Sequence, residues 1–196
     1  MTRGTTVRIG ILGGTFNPIH MGHLILANEA FFKLNLDKLI FVPTYLPPHK
    51  TIEVNVNPED RLRMVKSAIE DNPAFEASSF EIDSKKRSYS IETLKNFRRI
   101  YGEEAQLFFI TGSDSLKDLF SWKDINEIFK VSKFIVANRP GYPFTERLPK
   151  EVETVVITPI EISSEDIRRR IKELKPIIYL VPDKVRRYIE ERGLYK

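Results

Sequence analysis

The chain has 196 residues, 41% hydrophobic and 30% charged, and its 31 basic and 27 acidic side chains give a net charge of +4. This composition indicates a single soluble globular domain over residues 1–196 and excludes a disordered chain. The charge is modest and mixed in sign, so it does not point to nucleic acid. There is no cysteine, no bilayer-length apolar run and no signal-peptide core, so we expect a cytoplasmic protein without disulfides or a cysteine nucleophile.

Short apolar runs alternate with segments of helical periodicity along the chain. The run Val7–Leu12, which stops at two glycines, predicts a buried strand, and the apolar spacing over Met21–Leu34 predicts a helix. The further predicted strands are Lys38–Pro43, Ala74–Ile82, Gln106–Thr111, Lys133–Ala137 and Thr154–Thr158; the further predicted helices are Glu59–Asp71, Ser90–Tyr101, Ser115–Phe120, Asp124–Phe129, Ser163–Leu174 and Asp183–Arg192. This order predicts an α/β fold with a parallel sheet, helices on both faces and ligands at the carboxyl ends of the strands.

The segment Gly13–Leu24, GGTFNPIHMGHL, contains two of the three histidines in the chain. Glycines permit a tight turn and a close approach of phosphate to backbone amides, although the spacing matches neither a dinucleotide fingerprint nor a P-loop. His20 and His23 share one face at the start of a helix, where the amides and the dipole favour an anion. We therefore expect a phosphate site. Helix capping and core packing are the alternatives, and a zinc site has little support because the third histidine is His49 and no HExxH pattern occurs.

The segment Ile162–Arg168, ISSEDIR, has a second candidate phosphate ligand. Ser163 followed three residues later by Asp166 is a capping-box pattern, which explains those two residues without a ligand. It does not explain Arg168, whose planar guanidinium suits a phosphate. Arg169 and Arg170 fit a solvated basic face.

These motifs resemble those of a known superfamily. GGTFNPIHMGHL resembles the (H/T)xGH signature of the nucleotidylyltransferases, and ISSEDIR resembles their C-terminal ISSTxIR motif, which grips ATP phosphates. Several families share the first motif, but four other segments are similar to bacterial nicotinate-nucleotide adenylyltransferases: Leu46–Lys50, Ser88–Leu94, Ile110–Leu116 through Trp122, and Leu180–Tyr195. The chain departs from that family at Asn17, usually Asp, at Glu165, usually Thr, at Ser90 in the family's SYT segment, and at Lys85–Lys86–Arg87.

The resemblance implies a Rossmann-like fold of the HxGH nucleotidyltransferase type, with a C-terminal helical part over about residues 160–196. It implies transfer of the adenylyl group of ATP to nicotinic acid mononucleotide, giving deamido-NAD and pyrophosphate in NAD biosynthesis, with Mg²⁺ bound through the ATP phosphates. Alignment and charge stabilisation suffice for this reaction, because the attacking phosphate is already ionised.

The resemblance also implies roles for individual residues. The expected catalytic residues are His20, His23 and Arg168. The expected ATP-binding residues are Gly13, Gly14, Thr15, Phe16, His20, His23, Ile162, Ser163, Ser164 and Arg168. The expected mononucleotide-binding residues are His49, Lys50, Thr93, Asp114, Trp122 and Arg139, with Trp122 stacked on the pyridine ring and Thr93 at the nicotinate carboxylate. No resident metal ligands are predicted.

Other functions remain open at this point. They are an adenylyltransferase for nicotinamide mononucleotide or phosphopantetheine, a non-catalytic nucleotide-binding domain, and a class I aminoacyl-tRNA synthetase fragment. HMGH resembles the HIGH motif of those synthetases, but no KMSKS-like run is present. The expected partners are ATP and nicotinic acid mononucleotide, without nucleic acid or membrane, and a homo-oligomer is left open.

Overall fold

A computed structural model describes residues 6–47, 56–144 and 148–196. The strands are β1 Arg8–Gly14, β2 Lys38–Pro43, β3 Phe75–Ala77, β4 Gln106–Gly112, β5 Lys133–Ala137 and β6 Val152–Val155. The helices are α1 Met21–Lys33, α2 Pro58–Ile69, α3 Phe80–Ser84, α4 Ser90–Tyr101, α5 Ile125–Val131, α6 Ser164–Lys172 and α7 Asp183–Arg192, with a 3-10 helix at Ser113–Ser121.

The six strands form one parallel sheet in the order β3-β2-β1-β4-β5-β6. Strand β1 lies at the centre, where Leu12 pairs with Phe41 of β2 on one side and with Ile110 of β4 on the other. The chain reverses its direction of winding between β1 and β4, and ligands bind in the crevice outside the carboxyl ends of strands at such a point. The sheet confirms the predicted α/β, Rossmann-like class.

The sheet is buried on both faces, which explains why its strands read as continuous apolar runs. Neighbouring residues of β1 face opposite ways. Leu12 packs in a core with buried residues of α1, α2, α6 and α7, whereas Ile11 packs in a second core with residues of α4 and α5. No helix in the described ranges is long and apolar enough to cross a membrane.

The predicted strand Ala74–Ile82 is wrong in its second half. The strand ends at Ala77, and α3 begins at Phe80. A local turn competes with strand pairing here, because the hydroxyl of Ser78 accepts a 3.2 Å hydrogen bond from the N–H of Phe80. The apolar alternation of Phe80 and Ile82 therefore imitates strand periodicity within a helix.

The last predicted strand begins two residues and ends three residues too late. It spans Val152–Val155 and not Thr154–Thr158, because its partner, β5, ends at Ala137, which pairs with Val155. Beyond that point the side chain of Asn138 replaces a neighbouring strand. It accepts from the N–H of Ile157 at 2.5 Å and donates to the carbonyl of Ile157 at 3.1 Å.

Candidate active site

The site is built around the loop of residues 15–19 that joins β1 to α1, referred to below as the β1–α1 loop. Side chains from α2 and α6 hold three of its carbonyl oxygens. Arg61 donates to the carbonyl of Thr15 at 2.6 Å, Arg168 to that of Asn17 at 2.9 Å, and the Ser164 hydroxyl to that of Pro18 at 2.8 Å. The C=O and N–H of a trans peptide point in opposite directions. The N–H of Phe16 is therefore turned away from Arg61 and the N–H of Ile19 from Ser164, and outward-facing amides of this kind suit an anion.

Two glycines make room for aromatic rings of the site. A Cβ at Gly14 would lie 2.9 Å from the ring of Phe16, which is buried, has a positive φ of 47° and meets the His23 ring edge-on at 5.0 Å. A Cβ at Gly22 would lie 3.1 Å from the ring of His20. The small residue between the two histidines thus allows the His20 ring to lie against the helix.

The two histidines form a stacked pair at the N-terminus of α1. His20 is the N-cap residue, and the ring centroids of His20 and His23 are 3.7 Å apart with an angle of 27° between the planes. The backbone N–H of His20 donates to Nδ1 of His23 at 3.3 Å. An Nδ1 that accepts must be unprotonated, so the proton of a neutral His23 ring is on Nε2.

Both rings are held in the neutral form. Burial, aided by the positive charge of Arg139, lowers the pKa of His20 to about 3. Burial, then His20 and then Arg139 lower the pKa of His23 well below its usual value of 6.5. At neutral pH the pair therefore offers hydrogen-bond donors at the positive end of a helix dipole, without formal charge.

Replacement of Gly22 by alanine tests the packing of the His20 ring. Alanine has the better helix propensity, so we expect the melting temperature to hold or rise. The added methyl pushes the His20 ring aside by a few tenths of an ångström, and we expect kcat to fall about tenfold. Asn28→Ala, at an exposed position of the same helix, is the control and should leave kcat unchanged. An unchanged kcat in Gly22→Ala would contradict the packing argument.

At helix α6, Ser163 caps the helix, whereas Arg168 lies where it could bind a ligand. The Ser163 hydroxyl accepts from the N–H of Asp166 at 3.1 Å and caps the helix. The Asp166 carboxylate in turn pairs with Arg169 and Arg170, so these two arginines form surface ion pairs. Arg168 alone of the three arginines reaches the β1–α1 loop. The unusual Glu165 is exposed.

The ends of β4 and β5 bring two predicted mononucleotide ligands together. Asp114 and Arg139 form an ion pair at 2.7 Å, and the backbone N–H of Arg139 donates to the Ser113 hydroxyl at 3.0 Å. A Cβ at Gly112 would lie 2.5 Å from the Asp114 carboxylate, so glycine lets this pair form. Trp122 is partly buried and meets two core phenylalanines edge-on, Phe109 and Phe134, each at 5.8 Å.

Thr93 lies on the first turn of α4, but its side chain faces inward. It is 2% exposed, and its hydroxyl donates to Glu81 of α3 at 2.5 Å. Burial raises the pKa of the Glu81 carboxyl, whose second oxygen has no partner among the described residues. The first amides of a helix lack internal partners, so the backbone at the start of α4 is the part of this turn free to bind a ligand.

Sequence reasoning did not identify Glu81 and Arg61, two buried charged residues beside the site. Arg61 is fully buried and also donates to the carbonyl of Tyr45 at 3.2 Å. A signal for it existed, because Arg61 occupies the same helical stripe as the buried Met64 and Val65. A charged residue in an apolar stripe indicates a buried polar contact.

Two predicted mononucleotide ligands, His49 and Lys50, lie outside the described residues. Within residues 6–47, 56–144 and 148–196, no three histidine, aspartate or glutamate side chains cluster closely enough to hold a metal ion.

A parallel sheet in this order, with a phosphate-type loop and a histidine pair after its first strand, defines a nucleotide-binding α/β protein of the nucleotidyltransferase type. A family model described as Cytidylyltransferase-like matches residues 11–170. Two similar proteins carry the name "Probable nicotinate-nucleotide adenylyltransferase": that of Desulfitobacterium hafniense strain Y51, 44% identical over 96% of both chains, and that of Moorella thermoacetica, 43% identical over 96% of this chain and 92% of the relative. The chain belongs to the nicotinate-nucleotide adenylyltransferase family.

Solved structures agree with this fold. Plasmodium falciparum nicotinic acid mononucleotide adenylyltransferase complexed with NaAD superposes with a TM-score of 0.81 at 19% identity, over 96% of this chain and 97% of that one. The same enzyme complexed with APC superposes with a TM-score of 0.74 at 20% identity, over 96% and 97% of the two chains.

Proposed function

We propose that this chain joins ATP and nicotinic acid mononucleotide to form nicotinate adenine dinucleotide and pyrophosphate. The observation that carries this proposal is the neutral histidine pair at the start of α1, on a loop to which Arg168 and Ser164 of the second phosphate motif are bonded. Two motifs far apart in the sequence thus share one loop, as a triphosphate-binding site requires. A binding module has little need for both.

The reaction is an in-line transfer at the α-phosphorus of ATP. A phosphate oxygen of the mononucleotide forms the new P–O bond, and the bond from the α-phosphorus to the bridging oxygen breaks, so pyrophosphate leaves with both bonding electrons. The attacking phosphate is largely ionised at neutral pH because its second pKa is about 6. No general base is needed, which fits histidines that remain neutral.

The groups of the chain act by alignment and by stabilising charge. The Nε2–H of His23 and the positive end of α1 are donors for the oxygens that gain negative charge. Arg139, whose charge acts on both histidines, is the cation for the mononucleotide phosphate. Trp122 stacks on the pyridine ring, and Asp114 binds a ribose hydroxyl. Arg168 and the first turn of α6 hold the far end of the triphosphate.

We expect Mg²⁺ to enter with the ATP phosphates. Magnesium keeps several waters and takes few protein ligands beside phosphate oxygens, which is compatible with the lack of a carboxylate or histidine cluster in the described residues. When bound, the ion neutralises phosphate charge.

A comparison of acceptors tests the proposed function. Pyrophosphate release is measured with ATP and nicotinic acid mononucleotide, nicotinamide mononucleotide or phosphopantetheine. We expect kcat/KM for the acid to exceed that for the amide by at least about a hundredfold, because donors matched to a carboxylate are left unpaired by an amide. The positive end of the α4 dipole also favours a negatively charged carboxylate over a neutral amide.

Each other outcome has a defined meaning. A preference for the amide or for phosphopantetheine would replace the proposed acceptor. ATP binding without pyrophosphate release from any acceptor would favour a non-catalytic nucleotide-binding domain, and amino-acid-dependent ATP–pyrophosphate exchange would favour a synthetase fragment.

A further inference from the structure

The C-terminal end of the chain reaches the centre of the β1–α1 loop. Tyr195 is the penultimate residue, yet it is only 4% exposed. Its hydroxyl donates a 2.7 Å hydrogen bond to Oδ1 of Asn17, a residue 178 positions away in the sequence. The predicted roles of the site residues do not account for this contact.

Asn17 is the point where several supports of the loop meet. Its backbone carbonyl accepts from Arg168. The carbonyl of Thr15, two residues earlier, accepts from Arg61, and that of Pro18, the next residue, accepts from Ser164. The side chain of Asn17 is 6% exposed, so its amide oxygen needs a partner inside the protein. Tyr195 is that partner. Without the Tyr195 hydroxyl, the buried amide oxygen of Asn17 is left unpaired. The Asn17 side chain is then expected to rotate toward another donor and to shift the loop backbone.

The hydroxyl is kept in the protonated form that this role requires. Burial raises the pKa of the Tyr195 phenol far above its usual value of 10, although the positive charges of Arg168 and Arg61 act in the opposite direction. The hydroxyl therefore remains a donor throughout the working pH range.

The docking of the C-terminal helix sets the position of Tyr195. A 2.5 Å hydrogen bond from the Tyr188 hydroxyl to Asp60 fixes helix α7 to α2, and an ion pair at 2.9 Å joins Lys184 of α7 to Asp71, just after the end of α2. Gly193, in a left-handed conformation with a φ of 61°, ends the helix. The chain then turns so that the Tyr195 ring enters the core.

We propose that Tyr195 is a positioning residue for ATP, whose hydroxyl orients Asn17 and thereby holds the β1–α1 loop in the geometry that binds the triphosphate. This inference rests on the proposed function for the identity of the ligand. It concerns the ATP half of the site only, since the contacts of Tyr195 and Asn17 lie on the loop and on α2, α6 and α7.

Tyr195→Phe removes the hydroxyl and retains the ring. The steady-state KM values for ATP and for the mononucleotide are measured, together with the dissociation constants of a non-hydrolysable ATP analogue and of the mononucleotide alone. We expect the ATP KM and the analogue dissociation constant to rise about fivefold to tenfold, as for the loss of a buried hydrogen bond, with the mononucleotide constants unchanged. Tyr179→Phe, at a position that is 84% exposed, is the matched control and should behave as the native chain.

A double-mutant cycle with Asn17→Ala separates positioning from general stability. If Tyr195 acts through Asn17, Tyr195→Phe has no further effect on ATP binding in the Asn17→Ala background. Equal loss of affinity for both substrates, additive effects in the cycle, or unchanged ATP constants would each overturn the proposal. If Tyr195→Phe does not fold, Asn17→Ala, which retains the tyrosine ring, decides the question by the same selective loss of ATP affinity.

The binding measurements need no turnover. A native chain that binds the ATP analogue but forms no dinucleotide would refute the proposed function, while the comparison of Tyr195→Phe with the native chain would still test the positioning role.

Discussion

Replacement of His23 by asparagine is expected to lower kcat by about 10²–10³-fold with little change in stability. The asparagine Oδ1 can take the place of Nδ1 and accept from the N–H of His20, the bond that is 3.3 Å long in the native chain. No atom of asparagine reaches the position of Nε2, so the donor to the transferring phosphoryl group is lost, together with the ring contacts to His20 and Phe16. Steady-state kinetics and the melting temperature of the variant test both parts.

His23→Gln is the matched variant. Its side-chain nitrogen can extend to the position of Nε2, so we expect it to retain more turnover than His23→Asn, although it loses the bond to the backbone N–H of His20. Native turnover in His23→Asn would refute the catalytic role of the Nε2–H. Equal losses of turnover in the two variants would show that a donor at the position of Nε2 does not determine kcat.

A second large effect is expected in the pH dependence of stability. The pKa of His20 is about 3 in the folded chain and takes its ordinary value of 6.5 in the unfolded chain. Below 6.5 the unfolded chain therefore binds a proton that the folded chain does not, and the free energy of unfolding falls as the pH is lowered toward 3. The slope is about 1.4 kcal/mol per pH unit for one such group, so the loss reaches about 3 kcal/mol near pH 4.5. His23 contributes in the same direction.

Urea unfolding of the native chain and of His20→Gln at several pH values measures how much His20 contributes to the pH dependence of the free energy of unfolding. Glutamine does not titrate. Between about pH 7 and pH 4.5, the free energy of unfolding should therefore fall by about 3 kcal/mol less in the variant than in the native chain. The comparison cancels groups distant from His20, including the Glu81 carboxyl, whose raised pKa acts in the opposite direction. The His23 ring does not cancel fully, because His20 is one cause of its lowered pKa. Parallel pH profiles for the two proteins would contradict the neutral buried state of His20.

The strands and helices were predictable where burial and local pattern agree. The helix at Ser90–Tyr101 and the strands at Lys38–Pro43 and Lys133–Ala137 have the predicted bounds. The segment after Ala77 was not predictable, because the alternation of Phe80 and Ile82 fits a strand until the hydrogen bonds of Ser78 and Ser79 form. The final strand was misplaced because its end depends on where β5 stops.

The residues of the candidate site also fall into a group that the sequence predicted and a group that it did not. The histidine pair and Arg168 were candidates from residue types and from positions after strands, which parallel pairing brings to one edge of the sheet. Asp114 and Arg139 were candidates through the family resemblance. Arg61, Glu81 and Tyr195 were not, since each acts through a partner distant in the chain. For Thr93 the structure adds that its hydroxyl is engaged by Glu81, while its role at the nicotinate carboxylate stays a prediction.

The amino-acid sequence by itself determined the fold class and the chemistry on offer, because periodicity, glycine turns and histidine spacing act over a few residues. Only the tertiary structure decided the state of those groups. Burial makes the histidines neutral, the backbone of His20 selects the tautomer of His23, and the last turn of the chain supports the loop that holds them. The burial and the support from Tyr195 depend on which distant segments pack together, and local pattern contains no record of that packing.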